Sequence, residues 1–161
     1  MTTTDAIHRQ ETYDHRALEE EYNNRLPQFR TNLALTGSTE DTFEVKVPNI
    51  HFVHRKSSSV NAIPLLFCHD WGGSFVEVAR VLEGLCEPIS TPTPTRPSTQ
   101  AFHVVCPSIP GFGFSDASPD PDFGLEGTAD ILDALMQKLG YKRYMLHGSK
   151  WYVISACPAL H

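Results

Sequence analysis

The sequence predicts an α/β protein with a mostly parallel sheet and crossover helices. Three observations carry that expectation. Short, wholly apolar runs such as "IPLLFC" and "FHVVCP" mark strands buried on both faces. Stretches between them repeat their apolar residues at helical spacing. The resulting order is strand, helix, strand, helix, strand, which is how parallel strands are joined. At 161 residues, 40% of them hydrophobic, the chain is long enough for one domain with a core and is not disordered as a whole.

The elements follow in order. "RALEEEYNNRL", Arg16 to Leu26, spaces Leu18, Tyr22 and Leu26 along one helical face, and Pro27 stops it. "FEVKVPNIHFVHR", Phe43 to Arg55, is rich in β-branched residues and is broken at Pro48 and Asn49, so it reads as two strands. "KSSSVN" is a turn. Ile63 to Cys68 is the first buried strand. "SFVEVARVLEGL" reads as a helix capped by Ser74, with Phe75, Val78, Val81, Leu82 and Leu85 on one side. "EPISTPTPTRPSTQ", residues 87–100, is a Pro/Ser/Thr-rich insert expected to be an exposed loop. Phe102 to Pro107 is the second buried strand. "DILDALMQKLG" aligns Ile131, Leu132, Leu135, Met136 and Leu139 and stops at Gly140. "RYMLH", residues 143–147, reads as a third buried strand. The three buried strands are expected to be parallel neighbours.

Composition excludes several classes. The net charge of −6, without a Lys/Arg cluster, argues against nucleic-acid binding. The N-terminal "MTTTDAIHRQETYDHR" is polar and lacks the apolar core of a signal peptide. "IPLLFC" is far too short for a transmembrane segment. The four cysteines, Cys68, Cys86, Cys106 and Cys157, have no metal-ligand spacing. Cys68 and Cys106 read as small buried hydrophobes. A reduced, cytoplasmic protein is expected.

Ligand sites of such sheets lie in the loops beyond the C-terminal ends of the strands. Here those loops are "HDWGGS", "PSIPGFGFSD" and "HGSKWY". The middle one packs Pro110, Gly111, Phe112, Gly113 and Phe114 more densely than a plain turn requires. "PGFGFSD" preceded by "FHVVCPS" resembles the epoxide hydrolases of the α/β-hydrolase fold, of the type with an N-terminal extension. "YDHRALEEEYNNRLPQF" resembles the end of that extension, "IHFVHRKS" a strand of the family, and "AIPLLFCHDWGGSFVEV" the block usually written "AIPLLlxHGWPGSfxEf". The resemblance covers about residues 13–151 and divides the chain into three. Residues 1–42 are the end of the N-terminal segment, 43–151 the first half of an α/β-hydrolase core, and 152–161 a divergent tail.

The resemblance implies a two-step hydrolysis of a small-molecule epoxide to a diol, with no metal or organic cofactor. A carboxylate at the nucleophile elbow forms an ester, which water activated by a His–acid pair then hydrolyses. Family roles would include detoxification and aromatic compound catabolism. By the same resemblance, the backbone N–H groups of Trp71 and Trp151 are the oxyanion donors. His69, Asp70, Pro110, Gly111, Phe112 and His147 would line the site. In "HDWGGS", Asp70 stands for the family's Gly and Gly72 for its Pro.

At the elbow, Lys150 occupies the place of the nucleophilic Asp, so no catalytic residue is assigned. The family's lid tyrosines, acid and base His would lie downstream of the elbow. The expectation is therefore a truncated, inactive form of an epoxide hydrolase. The alternative is a non-catalytic fragment or binding protein. A haloalkane-dehalogenase-like reading would make Asp70 the nucleophile, but its loop precedes "PGFGFSD" instead of following it. A serine esterase reading would use Ser149, but His147 and Trp151 stand where G-x-S-x-G needs glycines.

Overall fold

The computed structural model describes residues 14–33, 48–70, 72–88, 100–118 and 120–148. Helix α1 (His15–Arg25) is capped by Asp14, whose Oδ1 accepts from the N–H groups of Arg16 and Ala17. Strands β1 (Gln28–Asn32), β2 (Asn49–Arg55) and β3 (Ile63–Phe67) follow. A 3-10 helix (Phe75–Arg80) runs into a short helix α2 (Leu82–Cys86). Strand β4 (Phe102–Pro107), helix α3 (Leu125–Lys138) and strand β5 (Met145–His147) complete the described elements. Of the two strands expected between Phe43 and Arg55, only the second lies within the described residues. Most of the Pro/Ser/Thr-rich insert lies outside them.

The sheet order is β1-β2-β4-β3-β5. Strand β3 is parallel to β4 on one side and to β5 on the other, so the three expected parallel strands share one sheet with β3 at their centre. Strands β1 and β2 add an antiparallel flank. The sheet is mixed.

Side chains alternate across a strand, and this explains the wholly apolar runs. Phe52, Leu66 and Val105 face one core with Ile131, Leu132, Leu135 and Met136 of α3. Their chain neighbours Val53, Leu65 and Val104 face the other, with Phe75, Val78 and Leu82. Helix α1 joins that second core through Leu26 and Tyr22, and an Arg25 guanidinium N–H donates to the Ala79 carbonyl at 3.4 Å. Cys68, Cys86 and Cys106 are all buried free thiols.

Three expectations need correction. Residues 74–85 do not form one α-helix. Ser74 does cap the segment, accepting from the Val76 N–H, but the first six residues are 3-10 and the chain re-aims at Val81. Val81 is therefore 43% exposed, and Leu82 takes the buried place. The third strand is shorter than read and not buried. Among the described residues β5 pairs only with β3, and Met145 is half exposed. Strand β1 was not anticipated, because its sequence "QFRTN" is polar and its burial weak. Helix α3 matches its apolar stripe but begins earlier, at Leu125, and its stop at Gly140 has φ +90°.

Candidate functional site

The loops after β3 and β4 meet at the C-terminal ends of these strands. The loop after β3 opens with Cys68, whose N–H donates to the His147 carbonyl at 2.8 Å, tying it to the end of β5. The Asp70 carbonyl then accepts from the Gly73 N–H at 2.9 Å. Gly72 has φ +80°, in the left-handed region that favours glycine. Proline is locked near −65°, so it could not adopt this torsion. The Gly at position 72, where the resemblance leads one to expect Pro, thus goes with a different local backbone.

His69 joins the two loops. It is 1% exposed, and its ring makes two hydrogen bonds. The Ile109 N–H donates to Nε2 at 3.3 Å, and Nδ1 lies 3.0 Å from the Asp70 carbonyl. A backbone N–H can only donate and a carbonyl only accept, so the proton sits on Nδ1. Phe112 meets the same ring edge-on, with centroids 5.8 Å apart.

The loop after β4 is held from within. The Phe112 N–H donates to the Ile109 carbonyl at 2.8 Å, and the Gly111 N–H to the Asp116 carbonyl at 3.0 Å. Asp116 Oδ2 accepts from the Asn49 N–H, and the Asp116 N–H donates to the Asn49 carbonyl. Below lies a buried polar group. His51 Nδ1 is 2.8 Å from Ser108 Oγ, and Ser115 Oγ donates to the Ser108 carbonyl at 2.6 Å. His51 is 3% exposed. Burial first, and then the Arg30 guanidinium, lower its pKa to about 4. It is therefore neutral at neutral pH.

The structure brings His69, Asp70, Pro110, Gly111 and Phe112 together at this junction. His147 is tied to this junction through its carbonyl, at Cys68. Its exposed ring packs on Phe67, centroids 4.6 Å apart, in a mainly apolar cleft of about 530 Å³. Leu65, Phe102, Met145 and Glu77 also line this cleft. Trp71, Ser149, Lys150 and Trp151 lie outside the described residues. Among the described residues, no group of three or more His, Cys, Asp or Glu side chains could hold a metal ion, and no helix is long and apolar enough to cross a membrane. The signal for Ser108 was present in "PSIPGFGFSD", which holds it two residues before Pro110. Its partner His51 is 57 residues away, within "IHFVHRKS", and nothing local links the two.

Two family models match the chain: "Epoxide hydrolase N terminus" over residues 3–78 and "alpha/beta hydrolase fold" over residues 63–149. Juvenile hormone epoxide hydrolase 1 of Ctenocephalides felis is 34% identical over 142 residues, which cover 85% of this chain and 27% of that protein. Epoxide hydrolase 1 of Oryctolagus cuniculus is 37% identical over 115 residues, covering 68% and 25%. Among solved structures, the juvenile hormone epoxide hydrolase of Bombyx mori superposes with a TM-score of 0.68 at 30% identity, over 91% of this chain and 31% of that one. The Aspergillus niger epoxide hydrolase gives 0.66 at 32% identity, over 90% and 33%. The chain thus spans about a quarter to a third of the length of these relatives.

Proposed function

This chain belongs to the epoxide hydrolase family of the α/β-hydrolase fold, and from that premise we propose that it carries the oxyanion side of an epoxide hydrolase site but does not turn epoxides over as written. The observation that supports the first half is the His69 bridge. It fixes the Asp70 carbonyl and the loop after β4 against one another at the ends of the parallel strands. In a trans peptide the N–H points away from the preceding carbonyl. Turning the Asp70 carbonyl inward is therefore the arrangement that would present the Trp71 N–H to a developing oxyanion. Trp151 would give the second such donor.

The second half rests on Lys150. The family reaction needs a carboxylate there. Its oxygen attacks an epoxide carbon, a ring C–O bond breaks, and the ring oxygen takes up a proton. Water then adds to the ester carbonyl and releases the diol, restoring the carboxylate. An ammonium group has no lone pair to attack with. A neutral amine would open the ring once and remain as an amino alcohol, which water does not cleave. The five histidines whose surroundings the structure describes give no substitute for the base. His51, His54, His69 and His103 are held by hydrogen bonds within the fold, and His147 packs on Phe67. The substrate class is an aliphatic or aromatic epoxide, recognised without catalytic release.

The test is incubation with a styrene-type epoxide, following diol formation and the intact mass of the protein. The expected result is no diol beyond the uncatalysed rate and at most one added epoxide mass. Lys150→Asp is expected to gain one epoxide mass as an ester and still not turn over. Repeated turnover by the unmodified chain would overturn the proposal. Loss of that turnover in Asp70→Asn would move the nucleophile to the loop after β3.

A further inference from the structure

A single-file hydrogen-bond relay runs from helix α1 to the loop after β4. The Gln28 amide Nε2 donates to Asn23 Oδ1 of α1 at 3.3 Å, which leaves its Oε1 as an acceptor. His51 Nε2 lies 2.9 Å from that Oε1 and must carry the proton. His51 Nδ1 is then an acceptor, and the Ser108 hydroxyl donates to it at 2.8 Å. Ser108 Oγ in turn accepts from the Phe114 N–H at 3.5 Å. Each group has one direction open to it. Two further bonds brace the same point: the Ser108 N–H donates to the His51 carbonyl at 2.9 Å, and the His51 N–H to Ser115 Oγ at 3.0 Å.

We propose that His51 is a positioning residue through which the N-terminal segment orders the site loop 108–116, and that adding a second proton to its ring releases that loop. The role as a site loop rests on the preceding reading; the coupling itself does not. With both ring nitrogens protonated, Ser108 Oγ would have to accept from Nδ1. Its own hydrogen would lose its partner in a place with 0% exposure. The surroundings offer the new charge no relief. Strand β1 presents Arg30, the register partner of His51, along with neutral Gln28. The 3-10 helix presents the ring of Phe75, centroid 4.6 Å away, and the loop presents Phe114, Ser108 and Ser115. No carboxylate among the described residues contacts the ring. Protons reach it from a depression of about 420 Å³ lined by Gln28, Phe29, Arg30, His51 and Phe114.

The experiment is amide hydrogen exchange on the full chain, with protection factors for Phe112, Ser115 and Asp116 against those of Leu135 and Leu139 in and after α3. Gln28→Leu breaks the relay without touching the loop. It is expected to raise exchange in the loop about five- to tenfold at neutral pH, the equivalent of one net hydrogen bond, with little change in the α3 amides. In the unmodified chain, loop opening is expected to rise about tenfold per pH unit between about 6.5 and about 4. His51→Gln, which keeps a polar side chain but cannot titrate, is expected to lose that slope in the loop. Should this variant fold poorly, the ¹⁵N shifts of the His51 ring give the same answer in the unmodified chain. They should report a neutral Nε2–H tautomer whose titration follows loop opening. Unchanged loop protection in Gln28→Leu, a persisting slope in His51→Gln, or a ring protonated on Nδ1 would overturn the proposal. None of these readouts uses an epoxide, so turnover by the chain would overturn the functional reading and leave this one standing.

Discussion

Replacing Gly113 with Ala separates what the loop after β4 demands of its backbone from what it demands of its packing. Gly113 has φ +52°, in the left-handed region. An L-residue with a Cβ pays about 1–2 kcal/mol there. The new Cβ would also lie 2.7 Å from Ser108 Oγ and 3.2 Å from Ser108 Cβ, with the Phe75 ring at 3.7 Å. Ser108 cannot step aside cheaply, because it is fully buried and hydrogen-bonded to His51. Overpacking of this kind adds about 1–3 kcal/mol. A total of about 2–5 kcal/mol is expected, a large share of the stability of a small domain.

Urea unfolding followed by far-UV circular dichroism measures this change, with Gly84→Ala as the matched control. A Cβ at Gly84 meets nothing within 4 Å, and the residue sits inside α2. That substitution should stabilise by about 0.5–1 kcal/mol. The steric part has its own check in the pair Gly113→Ala and Ser108→Ala. Removing Oγ removes the nearest contact, so the two costs should add to less than their sum. Strict additivity would assign the whole effect to the backbone torsion. A Gly113→Ala variant as stable as the parent would refute both parts of the reasoning.

Acid should weaken the whole fold as well as the loop. His51 and His54 both have folded pKa values near 4 against 6.5. Burial is the main cause for each, followed by Arg30 for His51 and by Lys56 and His103 for His54. The unfolded chain binds the extra protons first. Their contribution is therefore complete above pH 6.5 and lost as the pH falls through 4, on the order of 2–3 kcal/mol for buried His51 and less for half-buried His54. Urea midpoints measured across that window should fall steadily, and a flat profile would contradict the assignment. The thiols give a second test. Burial pushes Cys68 up to about 12 and raises Cys86 and Cys106. Iodoacetamide at mildly alkaline pH should leave these three unmodified in the native chain and label them in urea, as read by peptide mass. Rapid native labelling of any of them would show that its core is open.

How far the sequence revealed this protein depends on how far apart the interacting residues lie. Strands β3 and β4 were readable because each residue faces one of two cores, so the whole run must be apolar whatever its partners are. Helix α3 was readable because its stripe repeats within a few turns. Strand β1 was not, since only its pairing with β2 gives "QFRTN" its conformation. The 3-10 segment escaped because Phe75 and Val78 fit a three-residue period as well as they fit an α-helix, and the change of direction at Val81 has no sequence mark. The site divides in the same way. "PGFGFSD" stood out because its constraints are local: the positive torsions of Gly111 and Gly113, and the bonds of Ile109 to Phe112 and of Phe112 to Ser115. The relay beneath it joins Asn23, Gln28, His51 and Ser108, which lie in three separate stretches of the chain whose sequences do not show that they meet. Each became informative only when folding placed donor against acceptor. The density of the motif and the silence of the relay have one origin. The loop is the place where the N-terminal segment, β2 and β4 converge, and only the part of that convergence built from neighbouring residues is written as a motif.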